Sequence, residues 1–289
     1  MGGEAMTTAS DLRGMISYTY QSSGPLLPTL HSHPYYEVYY FHEGKVNYLI
    51  GDRIYNLAPG DLIIMYGMTL HSAKVDPTYP YIRSIIHFEP SLVQPFLDMP
   101  GALNVLEPFQ SYKNHRICLR GEHKDEAEQL LVRMHELQQR QDATSQCRMQ
   151  LAFIDLLYFI HERCMQPMHR PRDYASDKEK HVQTIVSFIE QHYHEALTME
   201  LLEERLHLTR SYLAKIFKEV TGVTIFEYLY QRRINQARVL FLLDSDLSVT
   251  EAGFQVGFKH LAHFSRLFKQ QVGMTPETYR RRIREETTL

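Results

Sequence analysis

The feature that most restricts this chain is an internal duplication in its last third. Slid against itself by 51 residues, the sequence sets Phe217 on Phe268, Lys218 on Lys269, Gly222 on Gly273, Thr224 on Thr275 and Tyr228 on Tyr279, with Lys215 meeting Arg266 and Ile216 meeting Leu267. Self-similarity at a fixed offset marks one structural unit used twice. In the first copy a short helix over roughly Met199 to Arg205 leads through Leu206, His207 and Leu208 to an N-cap, Thr209, and then a helix running to Val220 that Gly222 stops. In the second, Ser248 and Glu251 make a capping box, Gly257 supplies the turn, and the following helix ends before Gly273. Thr224 with Glu227 predicts another capped start, and Thr275-Pro276 an N-cap with Pro at the first helical position. The helix from Thr224 to about Leu243 has the length to bridge the two units.

Within the second helix of each copy one stripe is apolar: Leu213, Ile216, Phe217 and Val220, then Phe264, Leu267, Phe268 and Val272. The residues left to face outward are Arg210, Ser211, Ala214, Lys215 and Lys218 in one copy, and Leu261, Ala262, Ser265, Arg266 and Lys269 in the other. Small residues let such a helix sit deep in a major groove, where Lys215 and Arg266 can reach base edges while Lys218 and Lys269 reach phosphates. Charge is distributed to match. The net charge is -3, yet Arg205 to Arg284 carry 14 Lys and Arg against 6 Asp and Glu, while residues 1 to 177 carry 15 against 20. Phosphates can bind the basic part. A bundle with a basic exposed face would explain one such unit. Two of them predict reading helices about 34 Å apart, one turn of double-stranded DNA.

Ahead of this lies a different pattern. From Tyr35 to Phe88 short Tyr-, Val- and Ile-rich runs (YYEVYYF, KVNYLI, RIYNL, DLIIMY, YIRSIIHF), punctuated by Gly51-Asp52 and Pro59-Gly60, predict a small antiparallel sandwich or barrel, closed by a strand over His115 to Leu119. After Gly121 the period becomes helical, with Ala127, Leu130, Leu131, Met134 and Leu137, then Met149, Ala152, Phe153, Leu156, Leu157 and Ile160. These two amphipathic helices either cover a sheet face or form a dimerisation surface, because one stripe can serve only one of them. The polar stretch from Gln166 to Lys178, with two prolines, reads as a linker. The fold class is therefore α+β: an antiparallel β domain with an N-terminal arm over 1–120, helices over 121–165, a linker over 166–179 and an all-α DNA-binding domain over 180–284. Cys118, Cys147 and Cys164 have no metal-type spacing and suit a structural role in a reducing compartment. The sequence shows neither an apolar run of membrane-spanning length nor a signal-like start, so a cytoplasmic location is expected and a membrane partner is not.

Residues 180 to 284 resemble the AraC/XylS-type DNA-binding domain, through SYLAKIFKEVTG, the segment around RRINQARVLF, and VGFKHLAHFSRLFKQQVGMTPETYR, in that order. The resemblance implies that Ser211, Ala214 and Lys215 face the groove in the first reading helix, and Leu261, Ala262, His263, Ser265 and Arg266 in the second. Two positions depart from it. His207 stands where relatives often have Gly or Asn, though His tolerates the left-handed region, and Ala252-Gly253 replaces a more usual Ile-Ala pair, which predicts a weakened short helix.

His31, His33, Glu37 and Gly44, followed by Pro59-Gly60-Asp61 and His71, resemble the two motifs of cupin barrels. In cupins these positions converge on a metal, so His31, His33, Glu37 and His71 are candidate ligands for a divalent ion such as Zn, Fe, Mn or Ni. Alternation places His31, His33 and Glu37 on one strand face if the chain stays extended. Sensory cupins joined to this type of DNA-binding domain often hold an organic effector instead. The same residues with Tyr35, Tyr39 and Phe41 would then bind a sugar or related polar metabolite, the tyrosines and phenylalanine stacking on it or simply forming core. The expectation is a transcription regulator that reads DNA and a small molecule, forms a homodimer and has RNA polymerase as a further partner. The rival reading, a metal-dependent cupin enzyme with a helical interaction tail, leaves the duplication unexplained.

Overall fold

The computed structural model describes residues 16–23, 29–140, 142–166 and 176–287. Most of the expected N-terminal arm and residues 167–175 of the expected linker lie outside the described residues. Eight strands form among them: β1 Ser17–Ser22, β2 Tyr36–Glu43, β3 Val46–Ile50, β4 Arg53–Asn56, β5 Asp61–Met65, β6 His71–Val75, β7 Ile82–Phe88 and β8 Asn114–Cys118. They make a five-stranded sheet in the order β1-β7-β2-β5-β8 and a three-stranded sheet in the order β4-β3-β6, with every pairing antiparallel. The strand expected to close a barrel, β8, extends the edge of the larger sheet beside β5.

Period-two alternation decides what each face does. On β2, Glu37, Tyr39 and Phe41 turn toward the smaller sheet, where Tyr39 and Phe41 pack with Tyr48, Ile50, Ile63 and Ala73. Tyr36, Val38 and Tyr40 turn the other way into a core with α3, Glu122–Gln139, and α4, Ala143–Met165. The apolar stripes of those two helices, Ala127, Leu131, Met134 and Leu137 on one and Phe153, Leu156, Leu157 and Ile160 on the other, are buried in that core. Their stripes are therefore used to cover the sheet. Two short helices, α1 (Gln94–Leu97) and α2 (Glu107–Tyr112), complete this part.

The C-terminal helices are α5 Asp177–His192, α6 Met199–Leu206, α7 Arg210–Thr221, α8 Ile225–Leu243, α9 Val249–Gln255, α10 Leu261–Val272 and α11 Pro276–Thr287. Helix α5 begins inside the stretch expected as linker, because Ser176 and Glu179 close a capping box there. Helix α8 is about 28 Å long at 1.5 Å per residue, and its two halves belong to different cores. Ile225, Tyr228 and Leu229 pack with α5, α6 and α7, whereas Ile234, Ala237 and Phe241 pack with α9 and α10. The first of these cores also takes in Leu49 and Ile54 from the smaller sheet, with Leu30 and Leu70 beside it. The β domain thus docks on the first helical unit and leaves the second attached through α8.

Candidate functional site

Both helix-turn-helix units are built by the local signals that predict them. In the first, His207 occupies the left-handed region at φ 54°, Thr209 caps α7 by accepting the Tyr212 N–H, and Gly222 ends it at φ 83°. In the second, Ser248 and Glu251 close the capping box of α9, Gly257 turns at φ 93°, and Gly273 ends α10 at φ 82°. Leu213, Ile216, Phe217 and Val220 are buried, as are Phe264 and Phe268, while Leu267 and Val272 are half-buried.

Of the outward residues, Arg210, Ser211, Ala214, Lys215 and Lys218 are exposed on α7, and Ala262, Arg266 and Lys269 on α10. Two of the expected groove residues have other occupations. Leu261 is half-buried because a Cβ on Gly253 would stand 3.0 Å from its Cδ2 and 3.1 Å from Phe264 Cδ1, so the glycine lets α9 and α10 approach. This gives the glycine a packing role in place of a mere weakening of the helix. His263, also half-buried, lies edge-on to Tyr230 and Phe258 at centroid distances of 5.0 and 5.7 Å. Ser265 is half-buried as well. Arg210 is gripped by Glu200 at 2.6 Å and Glu203 at 2.7 Å, both on α6, which ties the two helices of the first unit together. Lys215 lies 4.0 Å from Glu219, whose carboxylate is taken at 2.6 Å by Lys178. Arg266 and Lys269 have no ion pair with another described residue.

The β domain gathers a second group at one end of its two sheets. His31 does not share an extended strand with Glu37. It forms an isolated bridge to His71, with His31 N–H to His71 O at 3.0 Å and His71 N–H to His31 O at 2.9 Å, and the chain bends at Pro34 and Tyr35 before β2. The bend brings His33 back over Glu37, Nε2 to Oε2 at 3.0 Å. His71 Nε2 lies 3.6 Å from the same oxygen, and His87 Nε2, from β7, lies 3.2 Å from it. Two sets of donors have their ligand atoms within 4.8 Å of one another: His31, His33 and His71, and His33, Glu37 and His87. Tyr35 is buried beside His33, whereas Tyr39 sits deeper in the inter-sheet core with its hydroxyl 2.9 Å from that of Tyr81. Stacking on a ligand is thus not open to Tyr39 or Phe41 as they stand.

Sequence reasoning missed His87. It faces Glu37 directly across the β2–β7 register, and nothing short of that register marks it. Burial drives the Glu37 carboxyl up, but the imidazoles of His87, His33 and His71 outweigh it and hold the group well below the usual carboxylate range. Burial, reinforced by His31, drives His71 down to about 3, so its ring is neutral. For His87 the Glu37 carboxylate overcomes the effect of burial and raises the imidazole.

Residues 24–156 match the family described as an AraC-like ligand binding domain, and residues 202–282 match a helix-turn-helix domain family. The melibiose operon regulatory protein of Escherichia coli is 27% identical over 267 residues, covering 89% of this chain and 84% of that protein. The Msm operon regulatory protein of Streptococcus mutans is 25% identical over 252 residues, covering 86% and 84%. Among solved structures, the DNA-binding domain of AdpA in complex with a target DNA is 30% identical, covers 36% of this chain and 94% of its own, and gives a TM-score of 0.34. With an AraC-like ligand-binding domain ahead of two helix-turn-helix units, the chain belongs to the AraC-type DNA-binding transcription regulators.

Proposed function

We propose that this regulator sets α7 and α10 into successive major grooves of one DNA face and takes a small polar ligand at the histidine cluster. The observation that carries the DNA half is the matched exposure of Lys215 with Arg266 and of Lys218 with Lys269 on two helices whose opposite faces are buried. Ser211, Ala214 and Lys215, with Ala262 and Arg266, would meet base edges; Lys218 and Lys269 would meet phosphates. Leu261, His263 and Ser265 would line the rim of the second contact, and Arg210 would act through its hold on α6. The first experiment is selection of bound sequences from a random DNA pool. On the selected site Arg266→Ala should cost about 1 to 3 kcal/mol and relax preference at one position, whereas Lys269→Ala should weaken all sequences alike and lower the salt slope by about 1. Equal losses from both variants on selected and random DNA would overturn the assignment.

A sugar is the organic ligand this reading favours, supported by the melibiose operon named for one relative. The relatives are transcription regulators, which speaks against the enzyme reading. Among the described residues no helix is long and apolar enough to cross a membrane, in keeping with a cytoplasmic place of action. A homodimer, with RNA polymerase as a further contact, belongs to the same reading. Val132 on α3 and Leu151 on α4, 38% and 57% exposed, are apolar side chains that the sheet does not use. If they form the dimer surface, sedimentation of the full chain should show a dimer that Leu151→Glu converts to monomer, and an unchanged sedimentation rate would place the interface elsewhere.

A further inference from the structure

The duplication allows the two reading heads to be compared position by position. At the 51-residue offset the outward cations are kept, Lys215 with Arg266 and Lys218 with Lys269, but the acids are not. Glu203 stands opposite Phe254, Glu204 opposite Gln255 and Glu219 opposite Gln270. Residues 198–222 therefore carry four acidic and four basic side chains, whereas residues 248–273 carry one and three, so the first head is formally neutral and the second basic. Two of the extra acids meet the cations of the first head: Glu203, with Glu200, engages Arg210, and Glu219 approaches Lys215. Glu219 follows Lys215 by one helical turn on the same face of α7, and Gln270 follows Arg266 in the same way on α10. All four side chains are exposed.

The Glu219 carboxylate is shared between two lysines. Lys178 Nζ, from the first turn of α5, donates to Oε2 at 2.6 Å, and Lys215 Nζ stands 4.0 Å from Oε1. The hydrogen bond from Lys178, with the charge of Lys215 behind it, holds the Glu219 carboxyl below the usual carboxylate range, so the group is ionised. A lysine beside such a carboxylate loses one capacity and keeps another. Its charge is already partnered, so a phosphate gains less from it by counterion release. Its ammonium still has three N–H donors, so one can reach a neutral base acceptor while another stays toward the carboxylate. Glu219 therefore discourages contact of Lys215 with the backbone of any DNA more than contact with a base edge. An unfavourable element of this kind is one way a binding surface becomes selective. At the equivalent place Arg266 has only the amide of Gln270.

We propose that Glu219 is a specificity-determining residue that acts through Lys215, withholding it from phosphates, while the second head, with no such acid, supplies the larger share of the salt-dependent hold. The inference rests on the DNA reading of α7 and α10 and adds to it an acidic residue that touches no base.

The full chain is titrated with the selected DNA site and with a random-sequence duplex of equal length over a range of salt concentrations, circular dichroism confirming that each variant is folded. Glu219→Gln should tighten binding to the random duplex by about fourfold or more and steepen its salt slope by about 1. On the selected site the gain should stay below about twofold, so the preference for that site falls. In a Lys215→Ala background the same change should move random-duplex affinity by less than about twofold. Gln270→Glu should do the reverse in the second head, weakening random-duplex binding by about fourfold and lowering the slope by about 1. Arg266→Ala should lower the random-duplex slope more than Lys215→Ala does. Equal gains on both duplexes from Glu219→Gln, or a gain undiminished in Lys215→Ala, would show general charge repulsion and overturn the role of Glu219. Equal slope losses from Lys215→Ala and Arg266→Ala overturn the division between the heads. Failure to select any sequence overturns the DNA reading itself, whereas a selected site whose preference ignores Glu219→Gln overturns only this inference.

Discussion

Gly257→Ala should unseat the second reading helix while the β domain stays folded. Gly257 turns at φ 93°, and a Cβ there would lie 2.7, 2.8 and 2.9 Å from the carbonyl oxygen, carbonyl carbon and Cα of His194. Those are backbone atoms, and the segment they belong to is fixed. Arg233, 6% exposed on α8, donates from Nε to Tyr193 O and from Nη2 to Glu195 O, each at 2.7 Å. The left-handed conformation costs an L-residue about 1 to 2 kcal/mol, and forcing a carbon into an occupied space adds about 1 to 3 kcal/mol. The sum, about 2 to 5 kcal/mol, falls on the core of Phe241, Phe258, Phe264 and Phe268. Hydrogen exchange should rise across α9 to α11 and stay unchanged in β2 and β5, while affinity for a two-groove DNA site falls at least tenfold. Gly273→Ala is the control. Its φ is 82°, but no atom lies within 4 Å of the added carbon, so it should cost only the conformational part.

That contrast shows why some of this molecule was legible from its sequence and some was not. Caps and stops are made by residues within a few positions of one another, so Ser248 with Glu251, Thr209, Gly222 and the left-handed His207 could be read directly. A duplicated pattern then fixed which faces point outward on α7 and α10. The ligand cluster depends on other information. His31 and His33 were expected to reach Glu37 along one extended strand, but Pro34 and Tyr35 bend the chain, and the convergence comes from the bridge to His71 instead. His87 enters only through the pairing of β2 with β7. Helix-to-helix approach is similarly hidden: Gly253 draws Leu261 inward, and Glu200 with Glu203 engages Arg210. Longer in range are the contacts of Ser32 with Asn235 and Arg238, which no local pattern announces. The apolar stripes of the amphipathic helices lie against the larger sheet, so a dimer surface on these helices would have to use other side chains.

The second large effect concerns Asp61, whose place in a Pro-Gly-Asp turn suggested a motif position and whose structural role is ionic. Its carboxylate is fully buried, accepts the Ala58 N–H at 2.7 Å and meets Arg116 Nη2 from the neighbouring β8 at 2.6 Å. The Arg116 side chain is itself 8% exposed, so solvent cannot replace the lost partner. Arg120 stands farther off, at 3.5 Å, and is half exposed. Asp61→Ala therefore leaves a buried guanidinium without its counter-charge and a turn without its acceptor, a loss of about 3 to 5 kcal/mol. The consequence reaches the ligand cluster because β5 pairs with β2, setting Met65 opposite Glu37. Denaturant unfolding of the β domain should show the loss, and adding Arg116→Met to Asp61→Ala should restore much of it, since the pair is costly to break and far less costly to replace together. A single variant that loses under about 1 kcal/mol, the range of exposed pairs, would show that solvent reaches the pair and that β8 is not held against β5 by charge.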